Sequence, residues 1–178
     1  PPTAPTLGMD SSGARATVFA TFSGQPLTGE TFTIGVPGRQ VTITFKTTLV
    51  VDGTVGMQVL VITNQDTTLT NLYKLLTGTG TQGVDYFNIL THQQVPDGFD
   101  DNYDIEATAM DTGANTITLR YTKFGSIGNS SVSTEAVTNF AFASTTFTGG
   151  NDGAVSAAGT GPETGVHHYA YGYFRKAD

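Results

Sequence analysis

The sequence predicts a mainly β protein: a single antiparallel β-sandwich or partly open barrel, with one short helix and extended arms at both ends. Three observations lead there. Across residues 31–47 (TFTIGVPGRQVTITFKT), Phe32, Ile34 and Val36, then Val41, Ile43 and Phe45, alternate with polar residues, which places each set on one strand face. Charged residues make up only 13% of the 178, about half the usual share, and Thr, Ser, Gly and Asn replace them, as suits short strands with many turns. Helical spacing is confined to one stretch, around Leu69, Leu72, Tyr73 and Leu76.

The elements follow in order. Residues 1–14 hold three prolines and no periodicity, and read as an extended arm. Residues 15–150 form the β domain. Its first strand is Arg15 to Ser23, with Val18, Ala20 and Phe22 on one face. The hairpin of residues 31–47 turns at Pro37 and Gly38, since Pro presets φ and Gly accepts a positive φ. Val55 to Thr63 is largely apolar and suits a strand buried on both sides. The helix spans about Asp66 to Thr77, capped by Asp66 and ended by Gly78. A long loop is expected from Gln82 to Asn102. Tyr103 to Met110 and Thr116 to Thr122 form a hairpin around the DTGAN turn of residues 111–115. A turn at Gly125 to Asn129, a strand from Ser131 to Thr138, and the aromatic positions Phe140, Phe142 and Phe147 complete the domain. Residues 151–165 are a Gly/Ala/Ser/Thr linker, and residues 166–178 an aromatic terminal strand or arm.

Composition excludes whole classes of function. Cysteine is absent, which removes disulfides and thiolate metal sites. No run of about 20 apolar residues is present, so no membrane-spanning helix is expected. The net charge is −7, and the eight Lys and Arg residues are scattered along the chain, whereas phosphate binding needs them clustered. Nucleic acid is therefore not an expected partner. The first residues show no basic segment followed by an apolar one, so no leader is expected among them, although one removed upstream stays open.

The order of a strand ending ITFKT, an apolar strand, the helix TTLTNLYKLL, the hairpin ITLRYTKFGSIGNS and the closing TFTGG carries a resemblance. It is similar to a small β domain recurrent in virion structural proteins of tailed bacteriophages. In that domain a TVTIGGKTYTFKT hairpin precedes an ANLVAAIN helix, and a TLTAKTAGTAGN strand and turn lead to a closing GGTD. The counterparts are Thr33 to Thr47, Leu69 to Leu76, Thr118 to Asn129 and Phe147 to Asp152. The likeness spans about 130 residues, from Val18 to Gly153. The long loop, the Leu-rich helix and the aromatic tail depart from it. The resemblance implies a scaffold and membership of a virion, and it points to a trimer only through the family's decoration proteins.

Each chemical motif has a plainer reading. Gly78 to Gly83 matches GxGxxG, but a dinucleotide site needs that pattern opening a helix, and here it follows one. Gly125 to Ser130 lacks the Lys of a phosphate-binding loop. Six of the fifteen acidic residues fall within residues 97–111, so Asp97, Asp100, Asp101 and Asp104 are candidate Ca²⁺ ligands. Their spacing departs from an EF-hand loop, and a solvated acidic loop is the preferred reading. A glycosidase pair is disfavoured because the chain has no Trp platform. His167 and His168 are adjacent, so on a strand they point to opposite faces and do not share one metal ion. Tyr169, Tyr171 and Tyr173 would share one strand face, with Phe174 on the other, and are candidate interface residues.

The expected function is that of a non-enzymatic virion protein without cofactor. The favoured role is capsid decoration or cement, with the major capsid protein or other virion subunits as partners and a homo-oligomer, a trimer by the resemblance, as the form. A baseplate or tail-fibre component is the first alternative, and a carbohydrate-binding or adhesion module the second.

Overall fold

The computed structural model describes residues 13–51, 56–88 and 104–152. Among them nine strands form two sheets, with one α-helix, and the sheets do not close into a barrel. The strands are β1 (Thr17–Phe22), β2 (Thr31–Gly35), β3 (Val41–Lys46), β4 (Met57–Leu60), β5 (Tyr86–Phe87), β6 (Ile105–Asp111), β7 (Thr116–Tyr121), β8 (Val132–Ala136) and β9 (Phe140–Phe142). The helix, α1, spans Gln65–Thr77. The mainly β, sandwich-like fold expected from the sequence is the one found.

One sheet has the order β6-β7-β1-β9 and is antiparallel throughout. The other has the order β5-β4-β3-β2-β8 and is mixed, because β3 and β4 run parallel. Alternation decides which side chains meet. Val18, Ala20 and Phe22 of β1 are buried while Thr17 and Phe19 are exposed. In β7, Ile117, Leu119 and Tyr121 are buried. Phenylalanines from both sheets then stack across the gap. Phe140 lies 4.9 Å from Phe22 on its own sheet, and 5.1 Å and 5.9 Å from Phe32 and Phe45 on the other. Tilted and edge-on rings at these separations add about 0.5–1.5 kcal/mol per pair beyond the area they bury.

The chain after β9 closes one side of the sandwich. Ala143 N–H donates to the Phe19 carbonyl and Thr148 exchanges two backbone bonds with Thr17, all on the antiparallel sheet. Between them, Thr145 accepts from Ser133 N–H and Phe147 N–H donates to Ser131, at the edge of the mixed sheet. Residues 143–148 thus stitch both sheets together. Towards the other side α1 packs between them, touching β4 and β5 of one sheet and β6 and β7 of the other. Leu69, Leu72, Leu75 and Leu76 are its buried face.

Several local expectations need correction. The helix cap is Asn64, not Asp66: the Asn64 carboxamide oxygen accepts from Thr67 N–H at 2.8 Å. Asp66 sits in the first turn, where its charge suits the helix dipole. Gly78 does end the helix, at φ 67°, a left-handed conformation that Gly adopts without a Cβ penalty. The strand expected over Val55 to Thr63 is only Met57–Leu60. Its buried Gln58 takes both the N–H and the carbonyl of Val50, which turns a polar side chain into a loop clamp. Tyr86–Phe87 pair with β4 in what was expected to be loop. The turn expected at Gly125 to Asn129 is a 3₁₀ helix over Ser126–Ser130.

Candidate functional site

Two neighbouring features make one corner of the domain distinctive. The first is where the two ends of the described domain meet. Ala14 N–H donates to the Asn151 carbonyl and Asn151 N–H returns the bond to Ala14, both at 3.1 Å. Residues 137 apart in sequence are therefore side by side. Asn129 holds Gly150 through both its amide and its carbonyl. The Asp152 carboxylate accepts from Ser126 N–H at 2.7 Å and from Ser126 Oγ at 2.8 Å. Those bonds, the backbone one first, hold its pKa below the ordinary aspartate value.

The second feature is a charge cluster. The Arg39 guanidinium, from the β2–β3 turn, lies 2.7 Å from Asp104 Oδ2, and Lys123 Nζ lies 3.2 Å from Oδ1. Two residues on, in β6, Glu106 Oε1 accepts from Arg120 Nε at 3.0 Å and Nη2 at 2.8 Å, with Arg15 Nη1 at 3.6 Å. Arg15 also rests over the Phe124 ring, 4.4 Å from its centroid. Four of the chain's eight basic residues thus meet two carboxylates, a local surplus of two positive charges in a chain of net −7. Phe124 stands beside this cluster and beside the Ala14–Asn151 pair, and Ile127 lies in the 3₁₀ helix that follows; each has about 60% of its surface in water.

Of the sequence-derived candidates, Asp104 is the one placed. It is buried, and each carboxylate oxygen already has a cationic partner, so this side chain is a structural ion-pair hub. Among the described residues, no three His, Cys, Asp or Glu side chains converge as metal ligands would. Asp97, Asp100, Asp101, His167, His168, Tyr169, Tyr171, Tyr173 and Phe174 lie outside the described residues. GxGxxG at residues 78–83 follows α1, and its polar groups are used locally: Asp85 accepts from Thr81 N–H and pairs with Lys74 Nζ at 2.7 Å. Among the described residues no helix is long and apolar enough to cross a membrane.

Sequence reasoning missed the cationic cluster because Arg15, Arg39, Arg120 and Lys123 come from three separate segments. The one readable signal was the cross-strand pair Glu106–Arg120, whose spacing follows from the β6–β7 hairpin register. Comparison with protein-family models, curated proteins and solved structures gave no match.

Proposed function

We propose that the chain is a non-enzymatic virion structural protein of a tailed bacteriophage, acting as a capsid decoration or cement protein. The observation that carries this reading is the pairing of Ala14 with Asn151, which brings the two edges of the described domain to one corner beside an exposed aromatic side chain. Exposed Phe124 beside Arg15 and Lys123, with exposed Ile127 in the following 3₁₀ helix, gives this region the apolar and cationic character of a contact surface. The scaffold motifs shared with the virion β domain support the reading from the sequence side. Contacts made only in the assembled shell would add their binding free energy to shell stability by mass action.

Immunogold electron microscopy of purified particles, with antibody to this chain, tests the reading. Dense label over the heads is the expected result. Label confined to the tail or its tip overturns the capsid role and favours a baseplate or fibre component.

A further inference from the structure

We propose that the outer face of the antiparallel sheet binds a neutral saccharide, with Phe19 as its platform. β1 lies between β7 and β9, so Phe19 stands in mid-sheet, yet 53% of its surface is exposed. A ring in water at the centre of a sheet is a flat apolar surface that a ligand can stack on. Its cross-strand neighbour is Thr118, and Thr17 and Thr116 flank the pair. On the other side the chain presents Ala143, whose N–H bonds the Phe19 carbonyl, and whose small side chain leaves the ring edge open. Together with Ser144 and Thr148 these residues line a groove of about 550 Å³. That is within the usual size of small-molecule sites.

The chemistry of the lining selects the ligand. Among the described residues no charged side chain lines the groove. Arg15 and Arg120, the cations nearest in the register to Thr17, are engaged by Glu106. The hydroxyls of Thr17, Thr116, Thr118 and Thr148 bond no described residue, so each can donate and accept towards a ligand. One apolar ring among free hydroxyls matches a sugar, which offers C–H bonds on a pyranose face and hydroxyls at its rim. An anionic ligand finds no free cation here. A protein partner would favour a broader apolar surface than a single ring. The backbone under the groove is held by β7 on one side and by the Ala143–Phe19 and Thr148–Thr17 bonds on the other, so the platform is preorganised.

The test is saturation-transfer NMR and titration of the full chain with linear neutral hexaoses of glucose, mannose and N-acetylglucosamine, and with a hexauronate. At least one neutral hexaose is expected to bind at millimolar concentration or below. Phe19→Ala should weaken it about tenfold or more, as loss of a stacking platform implies, whereas Phe19→Tyr should retain it. Leu27→Ala, at an exposed apolar position elsewhere, should leave it unchanged. Binding by none of the neutral hexaoses, binding only of the hexauronate, or binding unaffected by Phe19→Ala overturns the proposal. So does a Phe19→Ala variant whose only change is weaker self-association in sedimentation, since the face would then be a contact between copies.

Discussion

Asp104 and Arg39 form an ion pair 65 residues apart in sequence that fastens the start of β6 to the β2–β3 turn, and so one sheet to the other. Asp104 sits at φ 58°, a left-handed conformation that Asp and Asn tolerate far better than branched residues. Charge and backbone roles can therefore be separated. Asp104→Asn keeps the conformation and loses the charge. Because Arg39 and Lys123 are 38% and 59% exposed, solvent screens the loss, and the cost should be about 1–2 kcal/mol. Asp104→Val adds backbone strain of about 1–3 kcal/mol on top. Urea denaturation of both variants checks the order, and equal costs would mean that the left-handed backbone carries no strain.

The helix cap gives a second pair of variants. Asn64→Ala removes the acceptor for Thr67 N–H and should cost about 1 kcal/mol. Asp66→Asn removes only a first-turn charge and should cost about 0.3–1 kcal/mol at low salt, and less as salt rises. Thermal melts at two salt concentrations distinguish them.

Acid should act partly through Glu30. Burial raises its pKa, but bonds from the Thr138 hydroxyl, Leu27 N–H and Thr138 N–H outweigh that and hold it below the ordinary 4.5. The folded state thus favours the ionised form. Its contribution is complete above pH 4.5 and is lost as pH falls through the lower folded value. Melting temperatures taken downward from pH 5 should fall less steeply in Glu30→Gln than in the parent. Parallel profiles would show that Glu30 is not part of the acid response.

The terminal residues and the Ala14–Asn151 corner make the fourth prediction. Deleting residues 160–178 should weaken retention on particles while the melting temperature stays nearly unchanged. Phe124→Ala with Ile127→Ala should do the same, because both side chains are exposed. Quantitative blotting of purified particles, beside calorimetry of the free chain, reads both. A large drop in melting temperature after the deletion would make the tail part of the core.

Much of the fold was legible because β alternation is local: Val18, Ala20 and Phe22, or Ile117, Leu119 and Tyr121, announce their buried face within six residues. The helix was legible from Leu69, Leu72 and Leu76, but its cap was not, because Asn64 and Asp66 are equally good cap residues and only the backbone decides between them. The two-residue β5 has no periodicity to read, and the parallel β3–β4 pairing is a tertiary choice. The corner was illegible for the same reason, since nothing in the spacing of Arg15, Arg39 and Lys123 brings them to one aspartate and its neighbour. Phe19 looked like any apolar strand residue, and its phase, one step off Val18 and Ala20, was the only hint that it faces water.

The position of β1 also fixes when the molecule can be finished. β1 precedes every other strand of the described domain, yet its partners are β7 and β9, and Ala14 waits for Asn151. Loops of that length close slowly, and contacts so distant in sequence slow folding as a whole. During synthesis the β2–β3 hairpin and α1 can form from their own neighbours, while β1 stays unpaired until nearly all of the described domain has left the ribosome. While the described domain is being made, β1, Phe19 and Phe22 included, therefore lacks its strand partners until β7 has appeared. Completion comes in one late step, when the arrival of residues 140–151 supplies β1's second neighbour and draws the two ends together.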